Sequence, residues 1–200
     1  MLKVLRQFNI AGARVYVAEF DDGVEVKPVH PSIRNEMIER CADPLVKRQR
    51  YCVWQLLDYA LKQTVGKGVD GMSFNVDVNG KWSCDGDVNF SLSHSGNLVA
   101  VAVCDTPVGI DVERLDTSRF NERLARRILT DGELTLYNNV PPEERPQALV
   151  KAWTQKEAIF KRDGGKVFAP NQVDTLINNV NCQNVAFGDG EYIVAVATSN

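Results

Sequence analysis

Leu98-Val99-Ala100-Val101-Ala102-Val103 returns as Ile193-Val194-Ala195-Val196-Ala197-Thr198, with four of six residues shared, 95 positions later in a chain of 200. Each run follows a glycine, Gly96 and Gly190. A short apolar run bounded by turn residues reads as a buried strand. A repeat spaced by nearly half the chain predicts two similar halves, residues 1–105 and 106–200, that meet near residue 105.

Around these strands the pattern is mixed. Asp43 is placed to cap a helix, Pro44 suits its first position and Gly66 its end, while Val53, Leu56, Leu57, Ala60, Leu61 and Thr64 recur at helical spacing. Phe74 to Val78 followed by Asn79-Gly80 predicts a strand entering a tight hairpin, returning from Lys81 through Phe90 with a break at Gly86. In the second half a strand is expected at Val108 to Glu113. A helix follows, capped near Thr117 or Ser118 with Phe120, Leu124 and Ile128 on one face, then a loop at Asn138 to Pro142. A last helix is expected from Pro146 to Lys161, ending before Gly164-Gly165. Strands and helices without βαβ regularity give an α+β class.

Composition excludes several functions. The net charge is −3 with a pI near 5.5, which disfavours a general nucleic-acid binder. The longest apolar run, Leu98 to Cys104, is far short of the ~20 residues a membrane span needs. The segment MLKVLRQFNI lacks an apolar core before a small-residue cleavage site, so a cytoplasmic location is expected. Cys41, Cys52, Cys84, Cys104 and Cys182 are odd in number and scattered, which predicts free thiols. Only His30 and His94 are present, and no GxSxG, GxGxxG or GK[ST] phosphate loop occurs, so an enzyme here works with carboxylates and lysines.

Three segments carry that chemistry. On the strand at Val108 to Glu113, alternation puts Gly109, Asp111 and Glu113 on one face. Carboxylates two residues apart, with Cα atoms ~6.5 Å apart, can reach one hard cation, and Gly109 leaves room for a ligand near the backbone. The same residues suit a solvated face with Glu113 paired to Arg114. Trp153, Glu157 and Lys161 share a helical stripe, which suits either a metal ligand beside a phosphate neutraliser or an ordinary ion pair. Phe90-Ser91-Leu92-Ser93-His94-Ser95-Gly96 gathers hydrogen-bond donors at a strand end, where a phosphate or a purely structural network would fit.

In order and spacing the three segments resemble the 4′-phosphopantetheinyl transferases of the pseudo-dimeric, surfactin-type branch, with their [FW]-[NS]-x-S-H-S, G-[IV]-D-x-E and W-x-x-K-E-[AS]-x-x-K motifs. Here these stand at Phe90–Ser95, Gly109–Glu113 and Trp153–Lys161, and the resemblance runs from about Arg50 to Lys161. It implies two pseudo-symmetric α+β halves, each a small sheet packed with helices, with the active site at their interface. It implies transfer of the phosphopantetheine arm of coenzyme A to a serine of an acyl or peptidyl carrier protein, with release of 3′,5′-ADP. Asp111, Glu113 and Glu157 match the positions that hold Mg²⁺, and Glu157 the one that takes the serine proton. Lys161 matches a phosphate-contacting lysine that assists the leaving group, with Lys156 in support. Ser93, His94, Arg50 and Lys81 match contacts to coenzyme A. Arg48 competes with Arg50 for its register, Trp82 replaces a family proline beside Lys81, and Glu133 resembles an acidic family position.

The carrier partner should be acidic. Arg114, Arg119, Arg123, Arg126 and Arg127 fall within fourteen positions, and the last four form a helical stripe suited either to steering such a partner or to local pairs with Asp116 and Glu122. No nucleic-acid or membrane partner is expected, and one chain supplying both halves of the site implies a working monomer. Two other functions remain open: a Mg²⁺-dependent hydrolase of a nucleotide-like pyrophosphate, and a non-catalytic module that binds coenzyme A or a carrier.

Overall fold

A computed structural model describes residues 2–116, 118, 120–178, 180–187 and 190–199, the side chains of 3–5 excepted. The chain opens with a hairpin, β1 (Leu2–Ile10) and β2 (Ala13–Phe20). Ala11 and Gly12 make its turn with positive φ, 51° and 82°, which matches the twist of the flanking strands. Helix α1 (Ser32–Glu39) leads to α2 (Pro44–Thr64), whose first turn is capped as the sequence predicts: Asp43 accepts from the N–H groups of Leu45 and Val46 at 2.8 and 3.2 Å.

The hairpin expected at Asn79-Gly80 forms, from β3 (Phe74–Val76) and β4 (Trp82–Cys84). Its return strand does not continue to Phe90. After Cys84 the chain turns through Gly86, at φ 90°, and enters β5 (Asn89–Ser95) in a different sheet. Strands β6 (Leu98–Cys104) and β7 (Val108–Arg114) follow.

Helix α3 (Glu122–Ile128) starts later than expected, and its cap is Asn121, which accepts from the Leu124 N–H. Ser118 is instead held in a local turn, its N–H and hydroxyl both donating to Asp116 Oδ1, which competes with helix initiation. Thr117, the other cap candidate, lies outside the described residues. Helix α4 (Asp131–Asn138) fills a stretch for which the sequence reading named no element. Thr130 and Glu133 form a reciprocal capping box there. Helix α5 (Arg145–Asp163) ends at Gly164 in the left-handed region, and β8 (Val180–Phe187) and β9 (Gly190–Thr198) close the chain.

The strands form a four-stranded sheet in the order β1-β2-β6-β5, the β3-β4 ribbon and a three-stranded sheet ordered β7-β9-β8. Helix α2 covers one face of the first sheet, with Cys52, Val53, Leu56, Leu57, Ala60 and Leu61 buried against Val99, Val101 and Val103. The opposite face, through Val15, Val17, Leu98, Ala100 and Ala102, packs on Val108, Ile110, Val112, Val194 and Val196 of the third sheet. Helix α5 covers that sheet's far face, with Ala158 and Ile159 against Ala195 and Ala197. The layers therefore run helix, sheet, sheet, helix. All five cysteines are free. Among the described residues no helix is long and apolar enough to cross a membrane.

Candidate functional site

Strand β7, helix α5 and strand β5 converge on one cluster. Helix α5 lies close over β7 because Gly109 has no side chain: a Cβ there would stand 1.9 Å from the Ala158 carbonyl oxygen and 2.4 Å from the Arg162 nitrogen. The room that the sequence reading left at Gly109 for a ligand is thus filled by the helix backbone. That close approach delivers Glu157 and Lys161 to Asp111.

Lys161 Nζ stands 2.6 Å from Asp111 Oδ1 and 3.7 Å from Glu157 Oε2. It also donates to Ser93 Oγ at 3.0 Å. Ser93 donates in turn to Asp111 Oδ1 at 2.7 Å and accepts from the Val112 N–H at 3.1 Å. Asp111 is 3% exposed, and its second oxygen, Oδ2, is buried with no hydrogen-bond partner. Glu113, one pleat along, is partly exposed. Burial raises Glu157, and the facing carboxylates of Asp111 and Glu113 raise it further against the pull of Lys161, to about 7.

These groups bear on the two ways a metal site can fail, by lacking donors or by lacking room for charge. The donors are hard carboxylate oxygens, one of them buried and unpartnered, which is the equipment a divalent cation such as Mg²⁺ takes. Among the described residues, no three His, Cys, Asp or Glu side chains stand together as a preformed cage. The Lys161 ammonium is the cation that faces Asp111 and Glu157 here. A cation held by Asp111, Glu113 and Glu157 would have to displace the Lys161 ammonium from between the first and the last.

A second group of cationic side chains surrounds His94. Arg50 donates from Nη1 to the Met37 carbonyl at 3.0 Å, whereas Arg48 pairs with Asp22 at 3.1 Å. Arg34, on α1, was not singled out from the sequence, since an eight-residue helix leaves little periodicity to read. It is 6% exposed, lies over the rings of Trp54 and Trp82 at 4.9 and 5.8 Å, and donates to the Arg50 carbonyl. Its Nε has no partner, and burial beside Arg50 lowers its pKa to about 10. Burial, with Lys161, Arg34 and Arg50 adding positive charge, pushes His94 down to about 4. Such a concentration of positive charge suits a polyanion.

Lys81 sits at the tip of the β3–β4 hairpin and donates to the Arg162 carbonyl at the end of α5, while Asn79 donates to the Gly164 carbonyl at 3.0 Å. Between hairpin and helix lies a pocket of about 190 Å³ lined by Lys81, Trp82, Phe90, Leu92, Phe160 and Lys161. The structure thus gathers Asp111, Glu157, Lys161 and Ser93 directly and sets Lys81 and Lys161 on one pocket.

Lys156 points away from this cluster. It is fully buried, pairs with Glu133 at 2.6 Å and donates to the carbonyls of Pro170 and Val173. Burial raises the Glu133 carboxyl, but hydrogen bonds from Lys156, Thr175 and Thr130 outweigh it and hold the group below its usual value. The pair fastens the segment after α5 onto α4. On α3, Arg123, Arg126 and Arg127 are exposed, and Glu122 pairs with Arg145 rather than with them. Arg119 lies outside the described residues.

Residues 107–196 match the model of the 4′-phosphopantetheinyl transferase superfamily. The chain is 28% identical over 120 residues to the 4′-phosphopantetheinyl transferase gsp of Aneurinibacillus migulanus, covering 56% of this chain and 50% of that protein. It is 35% identical over 89 residues to the transferase HetI of Nostoc sp., covering 44% and 38%. With the transferase AcpT of Escherichia coli it shares 36% over 92 residues, covering 45% and 47%. The chain spans about half or less of the length of these curated relatives. Residues 107–196, the stretch that holds Asp111, Glu113, Glu157 and Lys161, are thus similar to the 4′-phosphopantetheinyl transferase superfamily.

Proposed function

We propose that the protein transfers the 4′-phosphopantetheine arm of coenzyme A to a serine of a carrier protein and releases 3′,5′-ADP. The observation that carries this reading is the Asp111–Lys161–Glu157 cluster, whose Lys161 also lines a pocket together with Lys81 and aromatic rings. A pyrophosphate needs its charge neutralised before an oxygen can attack phosphorus; Lys161, Lys81, Arg34 and Arg50 supply that charge, and the neutral His94 among them can offer a hydrogen bond. Asp111, Glu113 and Glu157 would hold Mg²⁺, which when bound polarises the pyrophosphate.

Glu157, raised by burial and by the facing carboxylates of Asp111 and Glu113, is the group placed to accept the proton of the attacking serine. The new bond joins serine oxygen to the phosphorus that carries pantetheine. The bond that breaks is the bridging P–O bond, and its electrons leave on 3′,5′-ADP, which Lys161 is placed to neutralise or protonate. Ser93, whose hydroxyl is engaged by Asp111, Val112 and Lys161, orients these groups and meets a phosphate once Lys161 is redirected.

The layered arrangement supports reading residues 1–105 and 106–200 as two halves with the site between them. On that reading one chain completes the site, and a monomer is expected by size exclusion. The carrier is expected to be acidic and to meet exposed Arg123 and Arg126. Charge reversal at both should raise KM for carrier and leave KM for coenzyme A unchanged; equal loss of both would remove docking from this helix.

The deciding test incubates the protein with apo carrier, coenzyme A and Mg²⁺ and reads the carrier by mass spectrometry. A gain of one phosphopantetheine on a serine is expected. Cleavage of coenzyme A with the carrier unchanged would make the protein a hydrolase, and binding without turnover a non-catalytic module.

A further inference from the structure

The two large sheets meet along β5 and β7, and no backbone ladder joins these strands. Serine hydroxyls take the place of the carbonyls. The N–H groups of Ile110, Val112 and Arg114 donate to the Oγ atoms of Ser91, Ser93 and Ser95 at 3.0, 3.1 and 3.1 Å. Every step advances two residues on both strands, which is the period at which side chains return to one face of a strand. The other edge of β7 is already paired with β9. These three donors would otherwise face an unladdered edge, and for the buried N–H groups of Ile110 and Val112 a missing acceptor is costly. An acceptor carried on a side chain also holds the strands wider than the ~4.8 Å of a backbone ladder. The sheets can therefore splay while their register stays fixed.

The spacing of the donors bears on the carboxylates. Ser91 and Ser93 hold the N–H groups on either side of Asp111, and Ser93 and Ser95 those on either side of Glu113. We propose that Ser91 and Ser95 are positioning residues, which fix the peptide planes carrying Asp111 and Glu113 and so set the two carboxylates for a shared cation. The inference rests on the reading of these carboxylates as cation ligands. Ser93 touches Asp111 and Lys161 directly and acts within the cluster itself, whereas Ser91 and Ser95 act through the backbone.

The test compares the full chain with Ser95→Ala, Ser95→Thr and Ser91→Ala. Amide hydrogen exchange is read at Ile110 and Arg114, and Mg²⁺ affinity by calorimetry. In Ser95→Ala the Arg114 amide should exchange about five-fold faster or more, the worth of one net hydrogen bond, with Val194 on β9 unchanged. Mg²⁺ affinity should fall by a similar factor, KM for carrier should hold, and Ser95→Thr, which keeps the hydroxyl, should restore both. Ser91→Ala should move the Ile110 amide in the same way.

Unchanged exchange at Arg114, or a loss of Mg²⁺ affinity that threonine does not rescue, would overturn the assignment. So would a uniform rise in exchange across β9, which would make the serines general stabilisers. Wild-type protein that binds Mg²⁺ yet transfers nothing would overturn the transferase reading alone, because exchange and calorimetry need no turnover.

Discussion

Strands β6 and β9 spell the same Val-Ala-Val-Ala and use it in opposite ways. In β6, Val99 and Val101 face helix α2, and Ala100 and Ala102 face the other sheet. In β9 the matching Val194 and Val196 face the other sheet, and Ala195 and Ala197 lie under helix α5. A strand's faces alternate with period two, so an offset of one residue exchanges them. The inversion fits both jobs. Between the sheets, the alanines of β6 and the valines of β9 share one apolar core, small side chains from one sheet and larger ones from the other. On the outer faces, α2 is kept off its sheet by valines, whereas α5 settles onto alanines and Gly109. The helix that comes close is the one whose Glu157 and Lys161 reach Asp111 on the sheet. Helix α2, with Trp54, Leu56, Leu57, Ala60 and Leu61 fully buried, brings hydrophobic mass and no comparable cluster of carboxylates and lysine to its sheet.

The largest effect should follow from altering chemistry on the close-packed side. Glu157→Gln is expected to cut transfer by about 10²–10⁴-fold, the range for a lost general base, as read by the rate of carrier modification. Folding should be unaffected, because burial and neighbouring carboxylates already favour the neutral form of this side chain. Activity within ten-fold of wild type would remove Glu157 from proton transfer. Next comes Lys156→Ala, which leaves Glu133 as a buried charge and should cost about 3–5 kcal/mol in chemical denaturation.

A smaller effect separates the two helix beds. Ala195→Val should lift α5 by overpacking, cost about 1–3 kcal/mol and lower kcat. Val101→Ala under α2 should cost a comparable ~1–3 kcal/mol through the lost methyl groups and leave kcat alone. Equal effects of the two on kcat would mean that the closeness of α5 does not matter to the site.

The site was more legible than its support. Asp111 with Glu113, and Glu157 with Lys161, are close in sequence, and strand or helix periodicity alone puts each pair on one face. Helix α2 could be read from Asp43, Pro44 and its apolar stripe. What escaped reading depends on partners far along the chain. The hydroxyl bonds from β5 to β7 join residues nineteen apart, and Lys156 finds Glu133 and the Pro170–Val173 carbonyls only after the chain folds back. Gly109 looked like room for a ligand because nothing local reveals that a helix takes the space. Helix α4 did have a local signal, Thr130-Asp131-Gly132-Glu133, which fits a capping box. Its Glu133 both resembles an acidic family position and closes the cap.

The smallest effect concerns His94, at the seam between α2's arginine and α5's lysine. Burial and the charges of Lys161, Arg34 and Arg50 lower its pKa to about 4, against an ordinary 6.5. The unfolded chain therefore takes up this proton first as pH falls. The group's contribution to stability is constant above about pH 6.5 and is lost progressively between about 6.5 and 4. At pH 6 the loss should be below ~1 kcal/mol, read as the difference in denaturation between wild type and His94→Gln at pH 7.5 and pH 6. On the proposed reading coenzyme A brings phosphates to the same cationic surroundings, so its binding should raise the His94 pKa in an NMR titration. A His94 resonance that titrates near 6.5 in the free protein would mean that the imidazole is neither buried nor ringed by Lys161, Arg34 and Arg50. A pKa that stays near 4 when coenzyme A is bound would place the phosphates elsewhere.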